Sequence, residues 1–308
     1  QAFQRRPNPP SADGTGCQRM ALQLNLPLDL VLVRHGESEA NVAADLLARG
    51  QDSGRDALLA AGRHDSQARL TELGREQART AGQWLREHGG EFDRYFVSPY
   101  VRTKETAGEM ALPNARWEAD LMLREREQGV MQGNGSPTLG LSIEERTRLK
   151  MSTMFWAPTA GESVADVCVR VQHFIQLLSA TAAGKRVVVV CHFRIMNAFR
   201  ILLEDRHDDY EQICNEHLPN GAIVWYTRRD PGGCVHDRVY GGKVISVEQD
   251  GIAKEVPFAV GQHIYTNEEL LEQARRVPQV VSTPDYWHRQ GCRVGGFGDD
   301  SAAVPRFA

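Results

Sequence analysis

Several features are scarce in this 308-residue chain, and each scarcity excludes something. No apolar stretch approaches the ~20 residues that a membrane-spanning helix requires, so no spanning helix is expected. Dense runs of Lys or Arg are missing and the formal net charge is −4, which argues against nucleic acid as the main partner. Only six cysteines occur (Cys17, Cys168, Cys191, Cys214, Cys234 and Cys292), without the paired spacing of metal ligands, and they read as reduced thiols of a cytoplasmic protein. Among the histidines, His64, His88, His173, His207, His217, His236, His263 and His288 form no recognisable metal cluster. Gln1 to Gly16 is polar and Pro-rich, with neither a charged n-region nor an apolar core, so residues 1–26 are expected to be a disordered tail and not a signal peptide.

What is present suits one large domain with appendages, at 41% hydrophobic and 25% charged residues. Apolar segments near 29–33, 94–97, 186–191 and 222–227 alternate with helical patterns near 71–88, 99–110, 163–180 and 193–204. That alternation predicts an α/β fold, a doubly wound, mostly parallel sheet with helices on both faces. Beyond residue 229, Val244-Ile245-Ser246-Val247 and Glu255-Val256-Pro257-Phe258 flank Asp250-Gly251 and suggest a hairpin. Thr266-Asn267-Glu268-Glu269 makes a capping box for a helix through about Arg276. The expected organisation is a tail at 1–26, a core domain at 27–228 and an extension at 229–308. The extension could dock on the core, cover the site or join copies into a homo-oligomer.

The most informative run is Arg34-His35-Gly36-Glu37-Ser38-Glu39-Ala40-Asn41, directly after the apolar Leu30-Val31-Leu32-Val33. It places an Arg-His pair at the carboxyl end of a buried strand, where open α/β sheets build their sites. An imidazole can attack phosphorus while a neighbouring guanidinium binds the phosphoryl oxygens, and the glycine lets the backbone turn closely around both. A basic pocket inside an acidic chain suits a small anionic substrate.

This run resembles the signature of the histidine phosphatase superfamily, the phosphoglycerate-mutase-like family, in which Arg-His-Gly is followed by an Asn five residues after the Gly. Arg34, His35, Gly36 and Asn41 match. Later blocks follow in the family's order, and the resemblance covers roughly residues 27–228. Ser98-Pro99-Tyr100-Val101-Arg102 resembles the block that supplies a second phosphate-binding arginine, Arg102. The spacing reads as Ser98 at the N-cap and Pro99 at the first helical position, with Arg102 about one turn in. Leu123-Arg124-Glu125-Arg126-Glu127-Gln128-Gly129 resembles the block carrying the acid that protonates the leaving group. By that resemblance the acid is Glu125, with Glu127 as competitor. Lys185 to His192 ends a four-valine strand in what resembles the family's second histidine, His192. Phe193 departs from the family pattern, which commonly has glycine there. Gly161-Glu162-Ser163 precedes an amphipathic helix whose N-cap is expected to be Ser163. Leu70-Thr71-Glu72-Leu73-Gly74 resembles the family's approach to its first crossover helix.

The resemblance implies a metal-independent phosphomonoesterase that passes through a phosphohistidine at His35 without cofactor. Asn41, Ser98, Arg126, Glu162 and Phe193 stand beside the catalytic set as candidate substrate-binding residues. A phosphoglycerate-type mutase is the first alternative, since mutases of the family share these residues. A phospho-ligand-binding protein without activity is the second. Phosphatase is favoured because residues 124–160 do not resemble the basic substrate-binding stretch of the glycolytic mutases. Segment 42–69 is also longer than the family core requires. With Arg49, Arg55, Arg63, His64 and Arg69, it is a candidate lid for further substrate anions.

Overall fold

The computed structural model describes residues 25–49, 63–129, 152–204, 206, 210–247, 253–260 and 265–277. The expected tail up to residue 24, residues 50–62 of the candidate lid with Arg55, and the Asp250-Gly251 turn lie outside the described residues. The chain divides into a unit spanning Gln1–Gly261 and a second spanning Gln262–Ala308.

Among the described residues, seven strands form one mixed sheet. In chain order they are β1 (Asp29–Arg34), β2 (Arg94–Val97), β3 (Trp117–Ala119), β4 (Arg186–Cys191), β5 (Ile223–Thr227), β6 (Gly241–Val247) and β7 (Ala253–Ala259). Across the sheet the order is β3-β2-β4-β1-β5-β6-β7. β3, β2, β4 and β1 run parallel, while β5, β6 and β7 continue the sheet antiparallel. The helices are α1 (Glu39–Ala48), α2 (Glu72–His88), α3 (Val101–Glu109), α4 (Val164–Thr181), α5 (Phe193–Leu203) and α6 (Tyr210–Asn215), with α7 (Asn267–Arg276) in the second unit. The expected hairpin is β6 and β7, and it extends the same sheet. Pro257, which lacks an N–H to donate, sits on the edge strand β7.

Alternation along 29–33, 186–191 and 222–227 alone places the last strand parallel to the others, yet β5 runs against β1. The reason lies between α5 and β5. After α5 descends from the site, α6 and residues 216–221 climb back, so that Gly221 N–H meets His35 O at 3.3 Å. The chain therefore enters β5 at the carboxyl end of β1.

Both faces of the central strands are buried, which accounts for continuous apolar runs in place of alternation. Leu30 and Leu32 of β1 pack with Val187 and Val189 under α4 and α5, through Val171, Phe174, Leu178, Ile195 and Phe199. Val31 and Val33 face the other way, onto Ala81 and Leu85 of α2 and Ala107 of α3. Burying each such large side chain stabilises by ~1.5–3 kcal/mol. α4 starts at Ser163 as expected, whose hydroxyl accepts from Asp166 N–H while Asp166 accepts in return from Ser163 N–H. Among the described residues, no helix is long and apolar enough to cross a membrane.

Candidate active site

β1, β2 and β4 all end at one crevice. His35 follows β1, Ser98 follows β2, and His192 follows β4 as the residue before α5. The strands hold the chain ends in register, with Ser98 N–H on Val190 O (3.0 Å) and His35 N–H on Cys191 O (3.1 Å). The sheet thus brings together residues that are 157 positions apart.

His35 is buried, and its Nδ1 lies 2.7 Å from Gly36 O. A carbonyl can only accept, so Nδ1 carries the proton and Nε2 keeps a free lone pair. Arg102 Nε donates toward that Nε2 at 3.3 Å. Burial together with the Arg102 and Arg34 guanidiniums holds the His35 pKa well below its ordinary value, so the imidazole is neutral. His192 faces it, ring centroids 5.1 Å apart. Its Nε2 lies 2.7 Å from Ser98 Oγ, which also accepts from Tyr100 N–H at 3.4 Å. The Ser98 hydroxyl has a proton to donate to Nε2, and in that pairing the proton of His192 is on Nδ1. That Nδ1 is buried without a protein partner, as is Arg34 Nε. Two buried nitrogens without a protein partner, beside the His35 Nε2 that Arg102 approaches, are what an anion would complete. Burial, Arg102 and His35 hold the His192 pKa well down as well.

Ser98 is not the N-cap of α3. That place falls to Tyr100, so Arg102 is the second helical residue, and Ser98 instead engages His192. Arg102 is buried, with Tyr100 stacked 4.8 Å from its guanidinium carbon. Asp65 holds it in place, accepting from Nη2 at 3.1 Å through its carboxylate and from Nη1 at 2.8 Å through its carbonyl. Arg34 donates to Leu218 O and lies 5.4 Å from the Phe193 ring; burial lowers its pKa to about 10. The Phe193 ring is held between Arg34 and Arg194, whose guanidinium carbon lies 5.0 Å from the ring centroid.

Glu125 is half-buried, and desolvation of its carboxyl raises the pKa. The Arg126 N–H, 2.8 Å from Oε1, and the Arg102, Arg194 and Arg34 guanidiniums oppose that rise without cancelling it. A carboxyl that favours its proton is what a general acid requires. Glu127, the competitor, turns its Oε1 back onto Gly129 N–H (2.9 Å).

The other sequence candidates act at one remove. Asn41 Oδ1 accepts from Ser38 N–H (3.1 Å), Ser38 Oγ–H (2.9 Å) and Asn220 Nδ2 (3.2 Å), which ties the motif loop together. Glu162 does not meet Arg34 or Arg102. Its carboxylate accepts from Arg124 Nη2 (2.6 Å), Arg170 Nε (2.9 Å) and Nη2 (3.0 Å) and Glu127 N–H (3.0 Å), clamping the segment that carries Glu125. Arg126 donates to Glu162 O at 2.6 Å and leaves a buried Nη2 unpaired; burial lowers its pKa to about 10. In the candidate lid, Arg49, Arg63 and Arg69 pair with Asp45, Glu39 and Glu105 at the surface.

Several site residues escaped the sequence reading: Asp65, Tyr100, Thr106, Arg170, Arg194 and Asn220. Thr106 Oγ1 accepts Gly36 N–H at 3.1 Å, and Asn220 Nδ2 donates to His35 O at 3.0 Å. One signal was visible. Arg170 lies in the apolar stripe of α4 between Val167 and Phe174, where a charge needs a buried partner.

The fold is that of an α/β protein in which two histidines and two arginines converge at the carboxyl ends of the parallel strands. The sequence profile of the histidine phosphatase superfamily (branch 1) matches residues 30–238, and the chain belongs to that family. It is 31% identical over 204 residues to the 2,3-bisphosphoglycerate-dependent phosphoglycerate mutase of Azorhizobium caulinodans, covering 64% of this chain and 90% of the relative. Two solved structures share the fold. Mycobacterial hydrolase 1 has TM-score 0.52 and 23% identity, over 68% of this chain and 94% of that one. A mycobacterial glucosyl-3-phosphoglycerate phosphatase with VO3 has TM-score 0.50 and 24% identity, over 64% of this chain and 92% of that one.

Proposed function

We propose that this protein is a metal-independent phosphomonoesterase that acts on a small phosphorylated metabolite through a phosphohistidine at His35. The observation that carries the proposal is the neutral His35, its unprotonated Nε2 facing Arg102 and His192, with the half-buried Glu125 carboxyl beside the same arginines. Nε2 attacks phosphorus in line while Arg34, Arg102 and His192 Nδ1 hold the equatorial oxygens. As the P–N bond forms, imidazole charge is stabilised by Nδ1–H donating to Gly36 O. Glu125 gives its proton to the departing oxygen. The resulting carboxylate takes a proton from water, whose oxygen then attacks phosphorus and breaks the P–N bond, restoring both groups. The guanidiniums supply the positive charge that a metal ion supplies in other phosphoryl transfers, and His192 adds a neutral hydrogen-bond donor. Arg126 borders the acid and is the candidate contact for the rest of the substrate. The buried free thiols Cys168, Cys191 and Cys214 fit a reducing compartment such as the cytoplasm.

A mutase is the second reading, favoured by the curated relatives near 31% identity. It differs by returning the phosphoryl group to substrate and not to water. The test is p-nitrophenyl phosphate hydrolysis in EDTA by wild type and His35→Ala, with acid-labile labelling of the chain. Activity that survives EDTA and vanishes in the variant supports the phosphatase. A wild type that hydrolyses nothing yet is phosphorylated by 2,3-bisphosphoglycerate shifts the assignment to the mutase. Neither activity nor labelling would overturn phosphohistidine chemistry altogether.

A further inference from the structure

At the end of the sheet opposite His35, the chain leaves β5 into a tight hairpin. Arg228 N–H donates to Leu28 O (2.9 Å), just before β1 begins, whereas His35 follows the end of that strand. Six residues of strand separate the two places by about 20 Å. The hairpin closes through His236 N–H to Arg228 O (2.9 Å), Asp230 N–H to Cys234 O (3.0 Å) and Gly233 N–H to Asp230 O (2.9 Å). Gly233 takes a φ of +86° to complete the reversal. Arg229 pairs with Val235, which fixes the register.

That register has a chemical consequence. Asp230 faces Cys234 across the hairpin, and His236 is two residues beyond Cys234, so all three fall on one face while Arg229 and Val235 alternate to the other. One ligand atom from each of Asp230, Cys234 and His236 lies within 4.8 Å of the others. Asp230 Oδ1 accepts Cys234 N–H at 2.9 Å, and Oδ2 lies 3.0 Å from His236 Nε2. His236 stacks on Tyr240, centroids 5.1 Å apart, which fixes the ring plane. An aspartate–histidine pair explains two of the three residues and leaves the thiol unexplained. Cys168, Cys191 and Cys214 are buried and serve packing, but Cys234 is exposed.

We propose that Asp230, Cys234 and His236 form a binding site for one zinc-class divalent cation, held by Asp230 Oδ2, Cys234 Sγ and His236 Nε2. Mixed O, S and N donors exclude calcium and magnesium, which take oxygen ligands, and suit zinc in a tetrahedral set with the fourth place open to water. The thiol loses its proton to solvent, and carboxylate and thiolate together balance the 2+ charge. His236 ligates as the Nδ1–H tautomer. The Arg228 guanidinium is already engaged with the carbonyls of Leu26 and His236. Position assigns the site a role in clipping the hairpin and none in the chemistry at His35. The spacing Asp-x3-Cys-x-His gave no sign of this in the sequence, because it is the hairpin turn that returns Asp230 to the other two.

Cobalt titrated into the full chain, with zinc as competitor, tests the site by absorbance. Wild type should show a thiolate-to-cobalt charge-transfer band saturating at one equivalent and erased by zinc. Cys234→Ser should lose that band, and His236→Ala should weaken binding about tenfold or more. A Cys17→Ser, Cys292→Ser double variant should keep it. No charge-transfer band in wild type, or a band that survives Cys234→Ser, overturns the site. These residues are at the surface, so circular dichroism of each variant should match wild type, and the readout is independent of the phosphoryl-transfer assignment.

Discussion

Arg170 is the residue whose replacement most sharply separates positioning from mere stability. Its buried guanidinium donates to both oxygens of Glu162, to Met122 O at 2.6 Å and to Glu125 O at 3.3 Å. It therefore grips both ends of segment 122–125 as well as the carboxylate that clamps it. Arg170→Met keeps the aliphatic volume and removes every one of these bonds. Glu162 keeps Arg124 Nη2 and Glu127 N–H, so its charge is not left unpaired, and losing the hydrogen bonds of a charged donor costs about 2 kcal/mol. In a domain of this size that is a fall in Tm of about 4–8 °C, which leaves the chain folded at 25 °C. Freed at both ends, Glu125 loses its fixed place, and a displacement near 1 Å costs about 10²-fold in rate. That loss should appear in kcat for an alkyl phosphate and be within about fivefold for p-nitrophenyl phosphate, because a good leaving group needs little protonation. The decisive assay is a double-variant cycle with Glu125→Gln. If Arg170 acts through the acid, its replacement adds almost nothing in that background. An equal loss for both leaving groups, or full additivity with Glu125→Gln, would refute the positioning role and leave a purely structural one.

Glu125→Gln alone should slow alkyl phosphates by about 10²–10⁴-fold and p-nitrophenyl phosphate far less; equal losses would move the acid role to Glu127. Gly36→Ala would place a Cβ 2.0 Å from Gly74 O, backbone against backbone, so a destabilisation of about 3 kcal/mol is expected, and an unchanged urea midpoint would contradict it. The pKa of His35 is depressed, so below its ordinary pH 6.5 the unfolded chain gains a proton that the native state refuses, and stability falls on acidification by up to ~1.4 kcal/mol per pH unit from this group. Glu125, whose pKa is raised, contributes with the opposite sign as the pH drops through its folded value. Urea unfolding at pH 7.5 and 5.5 should therefore show a smaller loss for His35→Gln than for wild type, and a larger one would contradict the depressed pKa.

How much of this was legible in the sequence depended on whether a residue's role is local. Strand ends carry their signal in four or five adjacent letters, so His35 after Leu30–Val33 and His192 after Val187–Val190 were placed from the sequence. Helix α4 was equally plain from its spacing and its Ser163 cap. Ser98 shows the limit: local chemistry favours a cap for Ser-Pro, but the parallel pairing of β2 with β4 puts His192 2.7 Å away, and the stronger partner takes the hydroxyl. The same reasoning covers Glu162, read as a candidate substrate-binding residue and found bound to Arg124 and Arg170. Which guanidinium a carboxylate meets is decided by how α4 lies against segment 121–127, and no spacing rule carries that information. Arg170 broke the apolar stripe of α4, and a buried cation must find an anion, so the stripe's one charged member already implied a carboxylate opposite it. The reverse holds at the site, where Arg34 Nε and His192 Nδ1 are buried nitrogens with no partner from the protein. A protein can retain unmet donors of that kind at little cost only where an anion or ordered water completes them. The pocket's departure from the ordinary rule of satisfied polar groups is thus the structural trace of the phosphoryl group it is proposed to hold.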